Sequence, residues 1–239
     1  NSFLKRIFFR YFYKSSNEII VNSFEFKKNL KKILKLNSQV IYNPIALPKK
    51  ISKKKIDYFH NYKDLKILSI GRLTDQKDHL TLLNAVKKLS EFKKCKLLII
   101  GQGYKEEILR KYVLENKLQK IVKLIGYKEN PESYIKISDV FVLSSIYEGL
   151  PNVLIESLYL KKYVISSDCH TGPKEILNNG QYGELFNVGD YNQLYKLLKS
   201  FNNKSKKIRF KISQGYKSLA RFDHKSNCRK YFQIISKYL

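Results

Sequence analysis

The sequence has no methionine, no tryptophan and only three cysteines among its 239 residues. Cys95, Cys169 and Cys228 form no C-x-x-C pair. An odd number of widely spaced cysteines argues against a disulfide framework or a zinc site and favours a reducing compartment. No apolar run approaches the roughly 18–20 residues that span a bilayer, and no P-loop sequence is present. Because the chain begins with Asn1 rather than methionine, we expect it to be a fragment.

Acidic residues are scarce, with 20 Asp and Glu against 47 Lys and Arg and a net charge of +27. Residues 1–60 hold 14 basic against 3 acidic residues, and residues 199–239 hold 12 against 1, so residues 61–198 carry only +5. A polybasic flank can bind nucleic acid or anionic lipid headgroups, each Lys or Arg near a membrane adding about 1 kcal/mol. The alternative is a solvated surface in a sequence rich in Lys, Ile, Asn and Tyr.

From Lys66 onward, short apolar runs alternate with amphipathic segments. The runs predict strands at 67–70, 97–100, 122–125, 140–143, 163–166 and 183–186. The amphipathic segments predict helices at 79–91, 105–116, 131–137, 151–160, 174–177, 190–200, 204–219 and 223–239. Strands with continuous apolar character indicate a parallel sheet covered on both faces. We therefore predict an α/β, Rossmann-like fold, in which ligands bind at the carboxyl ends of the strands.

The segment before Lys66 predicts a strand at 18–21, a basic helix at 23–36 and a strand at 40–42. It also holds an aromatic and basic stretch at 3–13, which we interpret as a helix docked on a missing part of the protein. This segment is too small to bury its own apolar residues. We therefore predict a domain remnant at 1–45, a Lys-rich linker at 46–65, the sheet domain at 66–222 and a C-terminal helix at 223–239.

The stretch from Tyr147 to Glu156 organises the rest of the chain. Glu148 and Glu156 lie eight positions apart, directly after the predicted strand at 140–143. Proline suits the first turn of a helix, so we predict that a helix begins at Pro151. Its free N–H groups can then receive an anion; they belong to Asn152, Val153 and Leu154. An anion between two acids suits a ligand with both phosphates and hydroxyls, such as a nucleotide sugar.

Two further loops follow predicted strands. Gly71 permits a sharp exit from its strand, and Arg72 and Lys77 offer two cations that can clamp a diphosphate. The Gly101-Gln102-Gly103 loop lacks the third glycine of a G-x-G-x-x-G motif and gives only weak support for a dinucleotide site. We interpret it as a tight turn beside the base of the nucleotide.

A third loop, Asp168 to Glu175, contains a Gly172-Pro173 pair whose backbone could face a sugar. His170 is either a general base or an ordinary loop histidine, and no acid is positioned by the sequence to orient it. Cys169 and His170 are adjacent, which usually points side chains apart and disfavours a Cys–His nucleophile. His60, His79 and His224 show no metal-ligand spacing.

Taken in order, these motifs resemble the retaining GT-B glycosyltransferases of family 4. The resemblance is carried by Gly71-Arg72…Lys77, Gly101-Gln102-Gly103, the Glu148…Glu156 pair and the Thr171-Gly172-Pro173-Lys174-Glu175-Ile176 loop. The Ile41–Ile45 stretch resembles the family's junction between its two domains, and the likeness covers about residues 15–239. The resemblance thus implies a donor-binding C-terminal domain joined to the remnant of an N-terminal, acceptor-side domain.

The resemblance also implies a role for each residue. Arg72 and Lys77 would bind the donor diphosphate and, with Glu148, form the catalytic set. Glu148 would meet the sugar hydroxyls and Glu156 the ribose hydroxyls. The other implied donor-binding residues are Gly71, Gly101, Gly103, Tyr127, Lys128, Gly149, Leu150, Pro151, Asn152, Val153, Thr171, Gly172 and Pro173.

The implied reaction moves a hexose or N-acetylhexosamine from a nucleotide sugar, most simply a UDP-sugar, to a glycan or lipid-linked acceptor with retention. No metal or cofactor is expected, because the two cations and the helix start would stabilise the leaving diphosphate. The basic flanks would lie on the acceptor side, which favours an anionic membrane surface over nucleic acid as a partner. We therefore expect a cytoplasmic protein, peripheral at the inner membrane, whose present chain binds donor but transfers poorly.

Two alternatives stay open at this point. The first is an enzyme of the same fold that resembles UDP-sugar epimerases, which would need a histidine or acids that the sequence does not place. The second is a basic module that binds membrane or nucleic acid without catalysis. Strongly salt-dependent binding without nucleotide preference would favour the second alternative.

Overall fold

The computed structural model describes residues 2–46, 57–59 and 61–239. The chain divides into two compact units, Asn1–Ala46 with Leu219–Leu239 and Leu47–Ser218. This division assigns residues 219–222 to the first unit, whereas we predicted a sheet domain that ends at 222. Most of the predicted linker 46–65, including His60, lies outside the described residues.

Helices and strands are numbered in chain order. The helices are α1 (Ser2–Lys14), α2 (Phe24–Leu34), α3 (His79–Ser90), α4 (Glu106–Glu115), α5 (Glu132–Ile137), α6 (Asn152–Tyr159), α7 (Pro173–Ile176), α8 (Tyr191–Ser200), α9 (Lys206–Lys217) and α10 (His224–Ile235). The strands are β1 (Ile20–Val21), β2 (Gln39–Val40), β3 (Leu65–Ile70), β4 (Cys95–Ile100), β5 (Val122–Leu124), β6 (Val140–Leu143), β7 (Tyr163–Ser167) and β8 (Glu184–Phe186). Short 3-10 turns occupy Asp57–Phe59, Asp75–Lys77 and Ser218–Phe222.

The larger unit is built on a six-stranded parallel sheet with the order β5-β4-β3-β6-β7-β8. All four residues of β6 and all five of β7 are buried, so both faces of the sheet are covered. The prediction of an α/β, Rossmann-like sheet with helices on both faces is therefore confirmed. Counted from β3, the order is that of doubly wound nucleotide-binding folds, and it reverses between β3 and β6.

The strands exist because their apolar residues fill this core. Ile67, Leu68, Val140 and Phe141 are fully buried, and Ile67 pairs with Val140 across the β3–β6 ladder. On α3, buried residues recur at a spacing that places them along one side of the helix, where they join the same core; they include Leu82, Leu83, Ala85, Val86 and Leu89. Packing therefore fixes β3 and β6 side by side.

The smaller unit has its own minor core. Val21, Leu30 and Leu36 are buried together, while β1 and β2 form a ladder of only two residue pairs. The strands predicted at 18–21 and 40–42 are thus shorter than expected, because the parallel pairing is limited to Ile20 with Gln39 and Val21 with Val40. In the 3-10 turn that ends at Phe222, the Phe222 ring lies 4.8 Å from that of Tyr42.

No helix in the described part of the chain is long and apolar enough to cross a membrane.

Candidate functional site

A nearly buried ion pair lies where the strand order reverses. Lys77 follows β3 and Glu148 follows β6, and Lys77 Nζ lies 2.5 Å from Glu148 Oε1. Their side chains are only 14% and 8% exposed. The hydroxyl of Ser145 donates to the same carboxylate oxygen at 2.6 Å. The β3–β6 ladder thus brings together two predicted site residues that are 71 positions apart in the sequence.

Backbone and side-chain hydrogen bonds hold the loops after β3 and β6 together. The Ile146 N–H donates to the Gln76 carbonyl at 2.8 Å, and the Gln76 side-chain amide donates to the Tyr147 carbonyl at 3.0 Å. The Ser144 hydroxyl donates to the Lys77 carbonyl at 2.9 Å. Lys77 is therefore positioned by bonds from the loop that carries its partner.

The two glycines after β4 are required by a close approach of backbones. A Cβ added to Gly101 would lie 1.9 Å from the carbonyl oxygen of Gly71, and one added to Gly103 would lie 2.4 Å from that of Leu73. Gly101 also has a φ of +151°, in a region that side chains rarely adopt. The loop that we interpreted as a tight turn is thus pressed against the backbone of the Arg72 loop.

The loops after β6 and β7 form one packed layer. A Cβ on Gly172 would lie 2.1 Å from the Gly149 carbonyl oxygen and 2.7 Å from Pro151 Cδ. The Thr171 hydroxyl donates to the Glu148 carbonyl, and Thr171 and Gly172 have φ values of 65° and 83°. The structure therefore places the two loops that we predicted to flank a sugar in direct contact.

The predicted start of α6 was wrong by one residue. Pro151 caps the helix in an extended conformation (φ −71°, ψ 101°), and the helix begins at Asn152. The Leu154 N–H, which we predicted to be free, donates to the Pro151 carbonyl at 3.0 Å. The reason is that contacts with Gly172 hold Pro151 in the preceding loop, so that its carbonyl accepts the first tight-turn hydrogen bond.

Glu156 lies inside α6 with a partly buried carboxylate. Burial raises the pKa of Glu156, and the nearby Glu132 carboxylate raises it further. Among the described residues, no hydrogen-bond donor or cation contacts the Glu156 carboxylate. An unpaired, desolvated carboxylate gains most from a ligand that donates hydrogen bonds to it.

The remaining predicted cation of the Gly71–Lys77 loop is exposed. Arg72 donates to the Gln76 side-chain oxygen at 3.3 Å, and it has no acidic partner in the part of the chain that the structure describes. Tyr127 and Lys128 follow β5 at the same edge of the sheet and are also exposed. The structure brings neither of these two into contact with the other predicted site residues that it describes.

An ion-pair cluster that the sequence did not suggest lies beside the Arg72 loop. Lys105 Nζ lies 2.6 Å from Asp75 Oδ1, and the Tyr104 hydroxyl donates to Asp75 Oδ2 at 2.8 Å. Hydrogen bonds from Lys105 and Tyr104 lower the pKa of Asp75. The cluster connects the loops after β3 and β4.

The sequence analysis also did not identify three residues that support the site, Gln76, Ser144 and Ser145. The two serines directly after an apolar strand were a signal that could have been used.

The loop after β7 gives no sign of nucleophilic or metal chemistry. Cys169 is buried, and burial raises the pKa of its thiol to about 11, so it is a neutral thiol. His170 is exposed and forms an isolated bridge with Tyr147. Asp168 accepts from Lys174 Nζ at 3.3 Å. Within the described ranges, no group of three or more His, Cys, Asp or Glu residues could hold a metal ion.

Comparisons with known proteins agree with this geometry. A family model described as glycosyl transferases group 1 matches residues 50–218. An uncharacterised glycosyltransferase of Methanocaldococcus jannaschii is 38% identical over 178 residues, which cover 71% of this chain and 44% of the relative. A Campylobacter jejuni protein named N-acetylgalactosamine-N,N'-diacetylbacillosaminyl-diphospho-undecaprenol 4-alpha-N-acetylgalactosaminyltransferase is 31% identical over 222 residues, covering 86% of this chain and 59% of the relative. The chain thus spans about half the length of these two relatives.

Solved structures share the fold. Anabaena HepE, crystallised with UDP and glucose, superposes with a TM-score of 0.79 at 18% sequence identity and covers 93% of this chain and 64% of that one. The fold is that of GT-B glycosyltransferases. Because the family model matches well over half of the sequence, including every loop of the candidate site, the chain belongs to the group 1 glycosyl transferases.

Proposed function

We propose that the larger unit is the nucleotide-sugar-binding part of a glycosyltransferase. The donor is a UDP-hexose or UDP-N-acetylhexosamine, and the sugar passes with retention to a glycan or lipid-linked acceptor without a metal or cofactor. The observation that carries this proposal is the Lys77–Glu148 ion pair at the reversal point of the sheet. In doubly wound sheets, ligands bind outside the carboxyl ends of the strands at that point.

The charges at the site match the parts of such a donor. Lys77 and the exposed Arg72 are cations on one loop, and cations of this kind bind phosphate oxygens. On the loop after β6, the Ser145 hydroxyl fixes the Glu148 carboxylate. That carboxylate can accept hydrogen bonds from sugar hydroxyls. Together, Arg72 and Lys77 would stabilise the negative charge on the departing diphosphate.

Glu156 supplies the recognition of the nucleoside. Its carboxylate is partly desolvated and lacks a partner among the described residues, so two ribose hydroxyls would satisfy it. A hydrogen bond to a charged group contributes about 1.5–3 kcal/mol. This role explains why a folded chain would keep an unpaired acid inside a helix.

Two comparisons support the substrate class. HepE was solved with UDP and glucose, and the Campylobacter jejuni relative is named for an acceptor that carries a diphospho-undecaprenol lipid. Transfer to a lipid-linked acceptor would occur at a membrane surface, which agrees with the basic flanks of the sequence. The present chain is expected to bind donor and to transfer poorly without further acceptor-side residues.

Calorimetric titration with UDP, GDP and ADP at low and high salt tests the donor site. We expect saturable binding of UDP, about tenfold or more weaker in Glu156→Gln. The matched control is Glu91→Gln, which removes the same charge at the exposed end of α3 and should bind UDP normally. Salt-sensitive binding of all three nucleotides without preference, unchanged in Glu156→Gln, would instead support the basic-module alternative.

A further inference from the structure

A polar cleft lies at the amino-terminal edge of the sheet, the edge opposite to the candidate donor site. It has a volume of about 460 Å³ and is formed by the starts of β3, β4 and β6 and by the end of α8. The charged residues that line it are Lys63, Asp64, Lys66, Lys93, Lys94 and Asp139. This volume falls in the range of small-molecule sites.

The lysines of the cleft outnumber its available acids. Asp139 accepts from the Lys66 N–H at 2.9 Å, and its other oxygen lies 3.9 Å from Lys66 Nζ. Asp139 is therefore already paired within the protein. The remaining lysines, at positions 63, 93 and 94, have no carboxylate partner among the residues that the structure describes, and Asp64 is the remaining acid in the described lining.

Lys93 has no carboxylate in ion-pair contact among the described residues, although Asp64 and Asp139 also line the cleft. Its ammonium donates to the Phe201 carbonyl at 2.8 Å, which is a neutral acceptor. Burial lowers the pKa of Lys93, and the Asp139 charge opposes this shift. Nearby, burial lowers the pKa of Lys162 to about 8, with Lys66 and Lys136 contributing and Asp139 opposing. A bound anion would favour the charged form of both ammonium groups.

Neutral hydrogen-bond donors complete the lining. Asn202 and Asn203 follow α8 and are exposed in the cleft. The Asn202 side-chain oxygen accepts from the Lys204 N–H at 2.9 Å, so its amide NH₂ is the group left for a ligand. Lysine ammonium groups beside amide donors form the kind of surface that binds phosphate oxygens.

We propose that this cleft binds a compact phosphate-bearing anion, separately from the nucleotide sugar. The apolar lining is small and Phe201 is buried, so no exposed ring in the described lining can stack on a nucleobase. A phosphomonoester or a pyrophosphate fits these groups better than a nucleotide. The phosphate could be free in solution or could be the headgroup of an anionic lipid.

The test is a titration of the isotopically labelled chain with inorganic pyrophosphate, followed by amide NMR. We expect saturable shifts at residues 64–66, 93–94 and 202–203. The double variant Lys93→Gln/Lys94→Gln should weaken this binding about tenfold or more. The control Lys111→Gln/Lys120→Gln removes the same charge from exposed positions, one on α4 and one in the turn between α4 and β5, and should bind normally.

Because each amide shift is assigned to a residue, binding at the cleft can be told apart from binding at the donor site. Shifts confined to residues 71–77 and 148–156, or equal binding by both double variants, would overturn the proposal, whether or not UDP binds. Sedimentation with phosphatidylglycerol vesicles separates the two sources of phosphate. A loss specific to Lys93→Gln/Lys94→Gln would identify a lipid headgroup, whereas unchanged sedimentation together with pyrophosphate shifts at the cleft would identify a free phosphate.

Discussion

Burial disfavours the charged form of the Glu156 carboxylate. A folded protein that keeps this unfavourable charge is expected to use it to bind a ligand. Burial raises the pKa of Glu156 above that of an exposed glutamate. Between the unfolded and the folded pKa, the folded state therefore binds more protons than the unfolded state. Stability contributed by this group is present at low pH and is lost as pH rises through the folded pKa.

We predict that Glu156→Gln stabilises the nucleotide-free protein at neutral pH by about 0.5–2 kcal/mol while weakening UDP binding. The amide keeps the shape of the side chain and removes the buried charge. Chemical denaturation at several pH values measures the gain, which should shrink as pH falls toward the ordinary glutamate range. A variant that is destabilised at neutral pH would show that a structural partner of Glu156 exists.

The Lys77–Glu148 pair leads to a different prediction for Glu148 than for Glu156. In Glu148→Gln, Lys77 loses its carboxylate partner in a site where its side chain is 14% exposed. Removing one member of a buried pair costs about 3 kcal/mol, so the melting temperature should fall. Free UDP should bind at least as tightly as before, because its diphosphate can pair with the unpartnered ammonium, whereas UDP-sugar should lose its advantage over UDP.

Paired titrations with UDP and UDP-glucose check this division of roles. Glu156→Gln should lose affinity for both ligands, and Glu148→Gln should lose only the contribution of the sugar. The exposed acid variant Glu91→Gln again serves as the control. Equal losses of plain UDP binding in both site variants would contradict the assigned roles.

At the scale of elements, the strands and helices of the larger unit could be predicted because burial alone specifies them. β6 occupies residues 140–143 as predicted, because a short run in which every residue is apolar is stable only when both of its faces are buried. The loops could not be predicted in the same way. The start of α6 shifted because Gly172, from another loop, packs on Gly149 and Pro151. The Lys77–Glu148 pair likewise forms only because β3 and β6 are neighbours in the sheet. The order of the strands cannot be predicted from the residues around either loop.

The Gly101 contact allows a test of this loop packing. Gly101→Ala should destabilise the protein by about 3 kcal/mol, because its Cβ would meet the Gly71 carbonyl at 1.9 Å. It should also weaken UDP binding, since the Arg72 loop must move. Gly126→Ala is the matched control: its φ is +71° but no atom lies within 4 Å of the added Cβ. It should cost about 1 kcal/mol and leave binding intact, as denaturation and calorimetry would show.

At the scale of the whole molecule, charge and site occupy different parts of the sequence. Residues 61–198 contain the proposed donor site but carry little of the net charge of +27. The flanking residues carry most of it, and they include α1, which has no acid in its first turn and ends in Lys14. Membrane binding, if it uses these flanks, should therefore depend strongly on salt, whereas UDP binding should depend on it weakly.

The chemistry of α1 suits an anionic membrane interface. Leu4, Ile7, Phe8, Tyr11 and Phe12 are all at least half exposed. Their spacing places them along one side of the helix, and Arg6, Arg10 and Lys14 follow one another at intervals of one turn. Apolar side chains beside basic ones are typical of helices that lie in the membrane interface.

We therefore predict that Arg6→Gln/Arg10→Gln weakens binding to phosphatidylglycerol vesicles about 30-fold, because each basic residue near an anionic surface contributes about 1 kcal/mol. Co-sedimentation at two salt concentrations measures the effect, and UDP binding should not change. Lys111→Gln/Lys120→Gln removes the same charge elsewhere and separates a local role of α1 from a general effect of net charge. If both double variants lose vesicle binding equally, overall charge rather than α1 determines the attraction. If neither loses it, the basic side of α1 does not face the membrane.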